Sequence, residues 1–276
     1  KVGENQIFIQ KAVVAYKGSL QLYLDNVTLF TPEKAVLSEV KHVHAAFSNR
    51  SLAFGRIVVK HATLEGLDLQ LEISDEGIEI ATFKLKKKQK KQKPFDLVKL
   101  LNDNNAPALK YLKTLEINKS NIQVADLING DIWLAKNTRG QLQKSLNRGT
   151  QFVLDTHIQR SGSDVSMPAI FEFRHLPESD YADIALDITK ADSHLMVKYL
   201  PNKIKNLLTG EGVIKLGAKI VQNKGIIAPY FQIDLVKGAF AIDGIYSFPL
   251  TYDKFHFKGD YSRADGHKLT IQELTF

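Results

Sequence analysis

Apolar and polar residues alternate with a period of two along most of this chain. Leu20, Leu22 and Leu24 are separated by Gln21 and Tyr23, and Leu67, Leu69, Leu71 and Ile73 by Asp68, Gln70 and Glu72. The pattern returns at Leu115 and Ile117, Ile122 and Val124, Phe171 and Phe173, and Ile184, Leu186 and Ile188. It continues through Phe231, Ile233 and Leu235, Phe240 and Ile242, Phe255 and Phe257, and Leu269 and Ile271. Successive side chains of a strand point to opposite faces, so each run describes a ribbon with one apolar side. Turn signals punctuate the runs: Asp75-Glu76-Gly77, Asn129-Gly130, Ser161-Gly162, Asn223-Lys224-Gly225, Asp243-Gly244 and Asp265-Gly266. The sequence predicts a mainly β chain organised as an antiparallel meander.

Three segments depart from that period. Pro94 sits at a first helical position, followed by Leu97, Val98 and Leu101 at helical spacing. Asn105 and Pro107 open a second short turn with Leu109 and Leu112. A third segment follows Ser193, where Leu195, Met196, Tyr199, Leu200, Ile204, Leu207 and Leu208 form an apolar stripe divided at Pro201. Thr209-Gly210 is the expected stop.

Charge locates a boundary. The chain of 276 residues has a net charge of +7. Seven lysines fall in KLKKKQKKQK at 84–93, and without them the remainder is neutral. A nucleic-acid surface spreads its cations over a folded face among aromatics, so nucleic acid is not an expected partner. The run reads either as a solvated loop or as a patch for anionic lipid headgroups, with Lys86, Lys87, Lys88, Lys90 and Lys91 as the contacts. It separates an N-terminal β unit (1–83) from a second β unit with helical insertions (94–276), the run itself (84–93) being the linker. The start at Lys1 suggests a piece of a longer protein whose upstream anchor is missing. The longest apolar stretches, such as Ala12 to Tyr16, fall far short of the ~20 residues that span a bilayer.

Little chemistry stands out. With no Cys, a disulfide scaffold, a zinc ribbon and a Cys nucleophile are excluded. His42 and His44 share a strand face but lack a second metal-ligand pair, and they read as surface residues. Gly210-Glu211-Gly212 lacks the third glycine and the preceding strand of a dinucleotide loop. Carboxylates are scattered singly. No catalytic residue, metal or cofactor is assigned, and an enzyme is not expected.

The apolar faces carry more information. Two architectures fit them: a closed β-sandwich, where such a face is core, or a single sheet curling into an open trough. Large aliphatic and Phe side chains dominate the apolar faces, and few helices are available to cover so many strands. An exposed trough of that size marks a binding surface, commonly for lipid. Its lining would be Leu20, Leu22, Leu24, Leu67, Leu69, Leu71, Ile73, Leu115, Ile117, Phe171, Phe173, Ile184, Leu186, Ile188, Phe231, Ile233 and Leu235. A slip of one residue in register exchanges the inward and outward sets.

The order of the runs resembles the AsmA-like superfamily, which includes AsmA, TamB and YhdP, and most of all its YhdP branch. LQLYLDNVTLF followed by EVKHVHAAFS and LAFGRIVVKHATLEGLDLQLEIS is similar to the family's opening after its membrane anchor. FDLVKLL and then LKYLKTLEINKSNIQVAD resemble its short helix and strand pair. NGDIWLAKNTRGQL follows, with Trp133 at a position often aromatic in the family. LMVKYLPNKIKNLLTGEGVIKLGAKI resembles a helix that precedes a strand pair opening with glycine. The resemblance spans most of residues 12–245 through loose apolar spacing; the Lys run matches none of it.

The resemblance implies a protein anchored in the inner membrane of a Gram-negative-type bacterium and extending across the periplasm. It implies a long curved antiparallel sheet forming a taco-like apolar groove that lets phospholipids pass toward the outer membrane. This chain would be its membrane-proximal part. The partners implied are phospholipids, the inner membrane through the missing anchor, and envelope proteins. Two other classes compete: an assembly scaffold binding outer-membrane proteins through strand edges, and a carbohydrate enzyme, which needs a carboxylate pair ~5–10 Å apart on one face.

Overall fold

A computed structural model describes residues 6–31, 34–74, 77–80, 111–145, 147–177, 179–196, 209–221, 225–240, 250–262 and 268–275. The Lys run, both short helical turns of 94–110 and most of the 193–208 stripe lie outside the described residues. The strands are β1 (Gln6–Tyr16), β2 (Leu20–Phe30), β3 (Val36–Phe47), β4 (Val59–Ser74), β5 (Gly77–Ile80), β6 (Thr114–Asp126) and β7 (Asp131–Ser145). They continue with β8 (Gly149–Arg160), β9 (Ser166–His175), β10 (Tyr181–Asp192), β11 (Thr209–Val221), β12 (Gly225–Phe240), β13 (Leu250–Ser262) and β14 (Lys268–Thr275). Two helices are described, α1 (Asn49–Ala53) and α2 (Ser193–Met196).

All fourteen strands belong to one sheet, thirteen in a single path from β1 to β14, with β5 attached to β4. The sheet is curved and open, not closed into a barrel. Strand follows strand in chain order because short turns leave each strand beside its predecessor. Among the described residues every pairing is antiparallel except β4 with β6, which run parallel from His61–Thr114 to Ile73–Asp126. That is a departure from the expected antiparallel meander, and it has a physical cause. A parallel pair needs a crossover of a dozen or more residues, and the connection through 81–113, which holds the Lys run, supplies it. The stretches before and after the run are thereby hydrogen-bonded into one sheet.

Other local details add to the sequence reading. Thr209 and Gly210 open β11, with Thr209 opposite Ala239, and the residues 197–208 before them lie outside the described residues. Gly212 also belongs to β11, and a Cβ there would collide with the Asp234 carbonyl oxygen, so the glycine permits close approach of β12. Helix α1 has no periodic signal. It starts where the Ser48 hydroxyl accepts the Ser51 N–H at 3.3 Å, an N-cap.

A row of left-handed residues crosses the first half of the sheet. Asn26, Gly66, Lys119 and Asn137 have φ of 49°, 67°, 48° and 54°. Lys41 stands between Asn26 and Gly66 in the register, and Gly66 lies beside Lys119 in the parallel pair. One such residue per strand changes the spacing of inward side chains from two to three, the effect of a bulge. Leu24 is thus followed by Val27, Leu64 by Leu67, Ile117 by Ser120 and Ala135 by Thr138. The apolar set stays on one face across the crease.

Candidate functional site

The apolar face is built from rows of directly paired residues running across the strands. One row passes from Leu22 through Ala45, Ala62, Leu115, Leu142, Phe152 and Phe173 to Ile184. The next passes from Leu24 through Val43, Leu64, Ile117, Gly140, Leu154, Phe171, Leu186 and Leu216 to Phe231. Beyond the crease, a third joins Thr156, Ala169, Ile188, Ile214, Ile233 and Phe257. Leu69 lies in a fourth with Ile122, Ala135, Ile158 and Met167, and Leu71 pairs with Val124, itself opposite Trp133. Ile73 pairs with Asp126 near the β6–β7 turn, Leu235 with Phe255, and Leu20 with Tyr16 at the sheet's other end. Most of the trough residues expected from the sequence therefore fall into these shared rows.

Packing confirms that the rows share a side. Met167, Ala169, Ile188, Ala191 and Ile214 form a buried cluster with Trp133, Ile158, Leu186, Ile233 and α2's Leu195 against it. Phe173 and Ala182 form another with Phe152, Phe171, Ile184 and Ile220. Leu235 and Tyr252 form a third, against Ile233 and Phe255. Phe173 and Met167 are wholly buried, whereas Leu216 is 37% exposed and Leu22, Leu24, Leu67, Leu69 and Leu71 are half-buried. The apolar face is thus closely packed around Phe173 and Met167 and more open elsewhere.

In the middle of these rows the polar side chains are uncharged hydroxyls, whereas Asp126 opposite Ile73 and Arg160 opposite Trp133 bring charge to one end of the same face. Ser120 Oγ accepts the Leu67 N–H at 3.1 Å and donates to the Asn118 carbonyl at 2.9 Å. Thr138 and Thr156 meet at 2.8 Å, with the carbonyls of Ala135 and Lys136 in reach at 3.4 and 3.2 Å. These buried groups replace hydrogen bonds that the crease removes from the ladder.

Several charged pairs lie on the opposite face. His42 Nδ1 meets Asp25 at 2.9 Å, and His44 stacks on Tyr23 with centroids 4.6 Å apart. Lys119 donates to Glu65 at 2.7 Å and holds that carboxyl below its usual range. His256 sits between Asp234 and Glu273; the Asp234 hydrogen bond raises its pKa most. Burial pushes Asp234 up, but bonds from His256 and Gln232 outweigh it, and the net shift is downward. Among the described residues no group of three His, Asp or Glu stands ready to hold a metal ion.

Sequence reasoning overlooked part of the lining: Val43, Leu64, Leu142, Leu154, Met167 and Ile214. The signal existed in Phe152-x-Leu154-x-Thr156-x-Ile158 and Met167-x-Ala169, where small and hydroxyl residues interrupt the alternation. The Lys86 to Lys91 contacts lie outside the described residues. No family model, curated protein or solved structure matches this chain.

Proposed function

We propose that this chain is a periplasmic, bridge-like lipid transport protein, held at the inner membrane and shielding phospholipid acyl chains against its apolar face. The observation that supports it best is the continuity of that face. The row from Leu24 to Phe231 crosses from β2 to β12 without a charged side chain, and the rows from Leu22 to Ile184 and from Thr156 to Phe257 beside it carry none. Thirteen strands at ~4.8 Å each make a face of about 60 Å, twice the ~30 Å hydrocarbon core of a bilayer. Each methylene buried there contributes ~0.8 kcal/mol. A face without deep polar contacts favours sliding over tight capture, and no catalysis enters this reading.

Native mass spectrometry of the purified chain, with extraction and identification of its lipid, tests the proposal. Bound phospholipid that is lost in Leu69→Asp and Leu71→Asp supports it; a lipid-free, monodisperse protein refutes it.

One observation favours a second reading, an envelope-assembly scaffold. Strand β1 is an edge, exposed along nearly its whole length, with Ile7, Phe8, Ile9, Val13 and Val14 open to solvent. Such an edge accepts a strand from another protein.

A further inference from the structure

The strand ends along one side of the sheet form a rim of distinct composition. Tyr16 pairs with Leu20, Phe47 with Val59, His61 with Thr114, and Ser145 with Gly149. Residues 17–19, 48–58, 111–113 and 147–148 therefore gather at the same end. Asn49 Nδ2 donates to the Gly18 carbonyl at 2.6 Å, so the first two tips touch. Lys17, Arg50, Arg56, Lys113 and Arg148 are exposed there, and no Asp or Glu occurs within 16–20, 48–60, 111–115 or 143–150, so the basic stretch of this rim runs from β1 to β8 and ends before the β9–β10 connection, where Asp180 is exposed. Among the described residues, none of these five cations has an ion-pair partner.

Apolar side chains project from the same tips. Ile57 and Phe54, 80% and 75% exposed, are the most exposed large hydrophobics among the described residues, followed by Tyr16. Their turn is pinned by its own backbone, with Gly55 N–H donating to the Leu52 carbonyl and Arg56 N–H to that of Ser51, both at 2.9 Å. Phe54 shares a shallow pocket with Arg50, Ser51 and Arg56. The opposite rim is different: Asp126 caps a turn by accepting the Ile128 and Asn129 N–H groups, and Asp131 is paired with Arg160 at 2.9 Å.

Cations alone would suit any polyanion. Cations flanking exposed apolar side chains suit a bilayer interface, where anionic headgroups and hydrocarbon lie within a few ångströms of each other. We propose that this rim docks on the surface of an anionic phospholipid bilayer, Phe54 and Ile57 entering the interface while Lys17, Arg50, Arg56 and Arg148 lie over the headgroups. The inference does not depend on lipid in the trough, because vesicle binding and co-extracted lipid are separate readouts.

Flotation of the full chain with vesicles tests it, comparing phosphatidylcholine with an equimolar mixture of phosphatidylcholine and phosphatidylglycerol. The anionic vesicles bind the chain, and added salt weakens binding by screening. R50Q/R56Q lowers affinity about 25-fold, at roughly fivefold per cation near an anionic surface. F54S/I57S weakens binding at unchanged charge, and L127S/I128S on the other rim leaves it intact. Circular dichroism checks each variant; if R50Q/R56Q perturbs the fold, F54S/I57S decides. Equal affinity for both vesicles overturns the proposal, as does binding that survives both rim pairs. So does loss only when the lysines of 84–93 become Gln, or an equal preference for a DNA duplex.

Discussion

The hydroxyl of Ser120 takes the backbone N–H of Leu67 at the point where parallel strands β4 and β6 lose their regular ladder. A side chain stands in for a carbonyl, inside an apolar face, with no exposure to water. Removing that oxygen leaves the Leu67 N–H without its partner. Ser120→Ala is expected to cost ~1–3 kcal/mol, the penalty for an unsatisfied buried donor. Urea denaturation measures it; a loss well under 1 kcal/mol means that water or a shifted backbone satisfies the group.

Gly212 tests close packing between β11 and β12. A Cβ there meets the Asp234 carbonyl oxygen, a backbone atom that cannot rotate away. Gly212→Val should lower stability by about 1–3 kcal/mol through overpacking and weaken amide protection on both strands. Unchanged hydrogen exchange in Gly225–Phe240 would show that the strands separate without cost.

Neighbouring residues of β4 separate the two faces. Leu71 is half-buried on the apolar side, while Gln70 is exposed on the other. Under the lipid reading, Leu71→Asp strips bound phospholipid and Gln70→Asp retains it. Equal loss in both variants would point to general destabilisation, and equal retention to lipid held elsewhere.

His256 gives a pH signature. Its folded pKa is raised above the ordinary 6.5, chiefly by the hydrogen bond with Asp234. Its stabilising contribution is therefore complete below 6.5 and is lost as pH rises through the higher folded value. Titration by NMR should place the imidazole above 6.5, and the denaturation midpoint should fall over that window more in the wild type than in His256→Gln. An imidazole titrating below 6.5 contradicts the arrangement.

The period-two pattern made the fold class legible, because a single buried face imposes it on nearly every strand. Two features were beyond it. The parallel pairing of β4 and β6 depends on where a long crossover returns, and no residue in Val59–Ser74 or Thr114–Asp126 encodes direction by itself. The crease shifts parity within strands. Ile117 and Ile122 are five residues apart, which regular alternation puts on opposite faces, yet the left-handed Lys119 brings them to the same one. Asn26, Gly66 and Asn137 are types that tolerate such a backbone and are weak signals; Lys119 is none. The basic rim was hidden for another reason: its cations are distant in sequence and gather only through the turns.

The lone parallel contact also divides the way the chain assembles. On either side of it, strands meet their chain neighbours, mostly through tight turns, so registration can proceed step by step with little loop entropy. Joining β4 to β6 requires closing the long connection through 81–113, whose entropic cost rises only slowly with its length. Two independently growing half-sheets would then merge at a single late seam. Pulse-labelled hydrogen exchange should show the β4–β6 amides gaining protection last, and shortening the Lys run should change the rate of that event much more than the stability of the finished sheet.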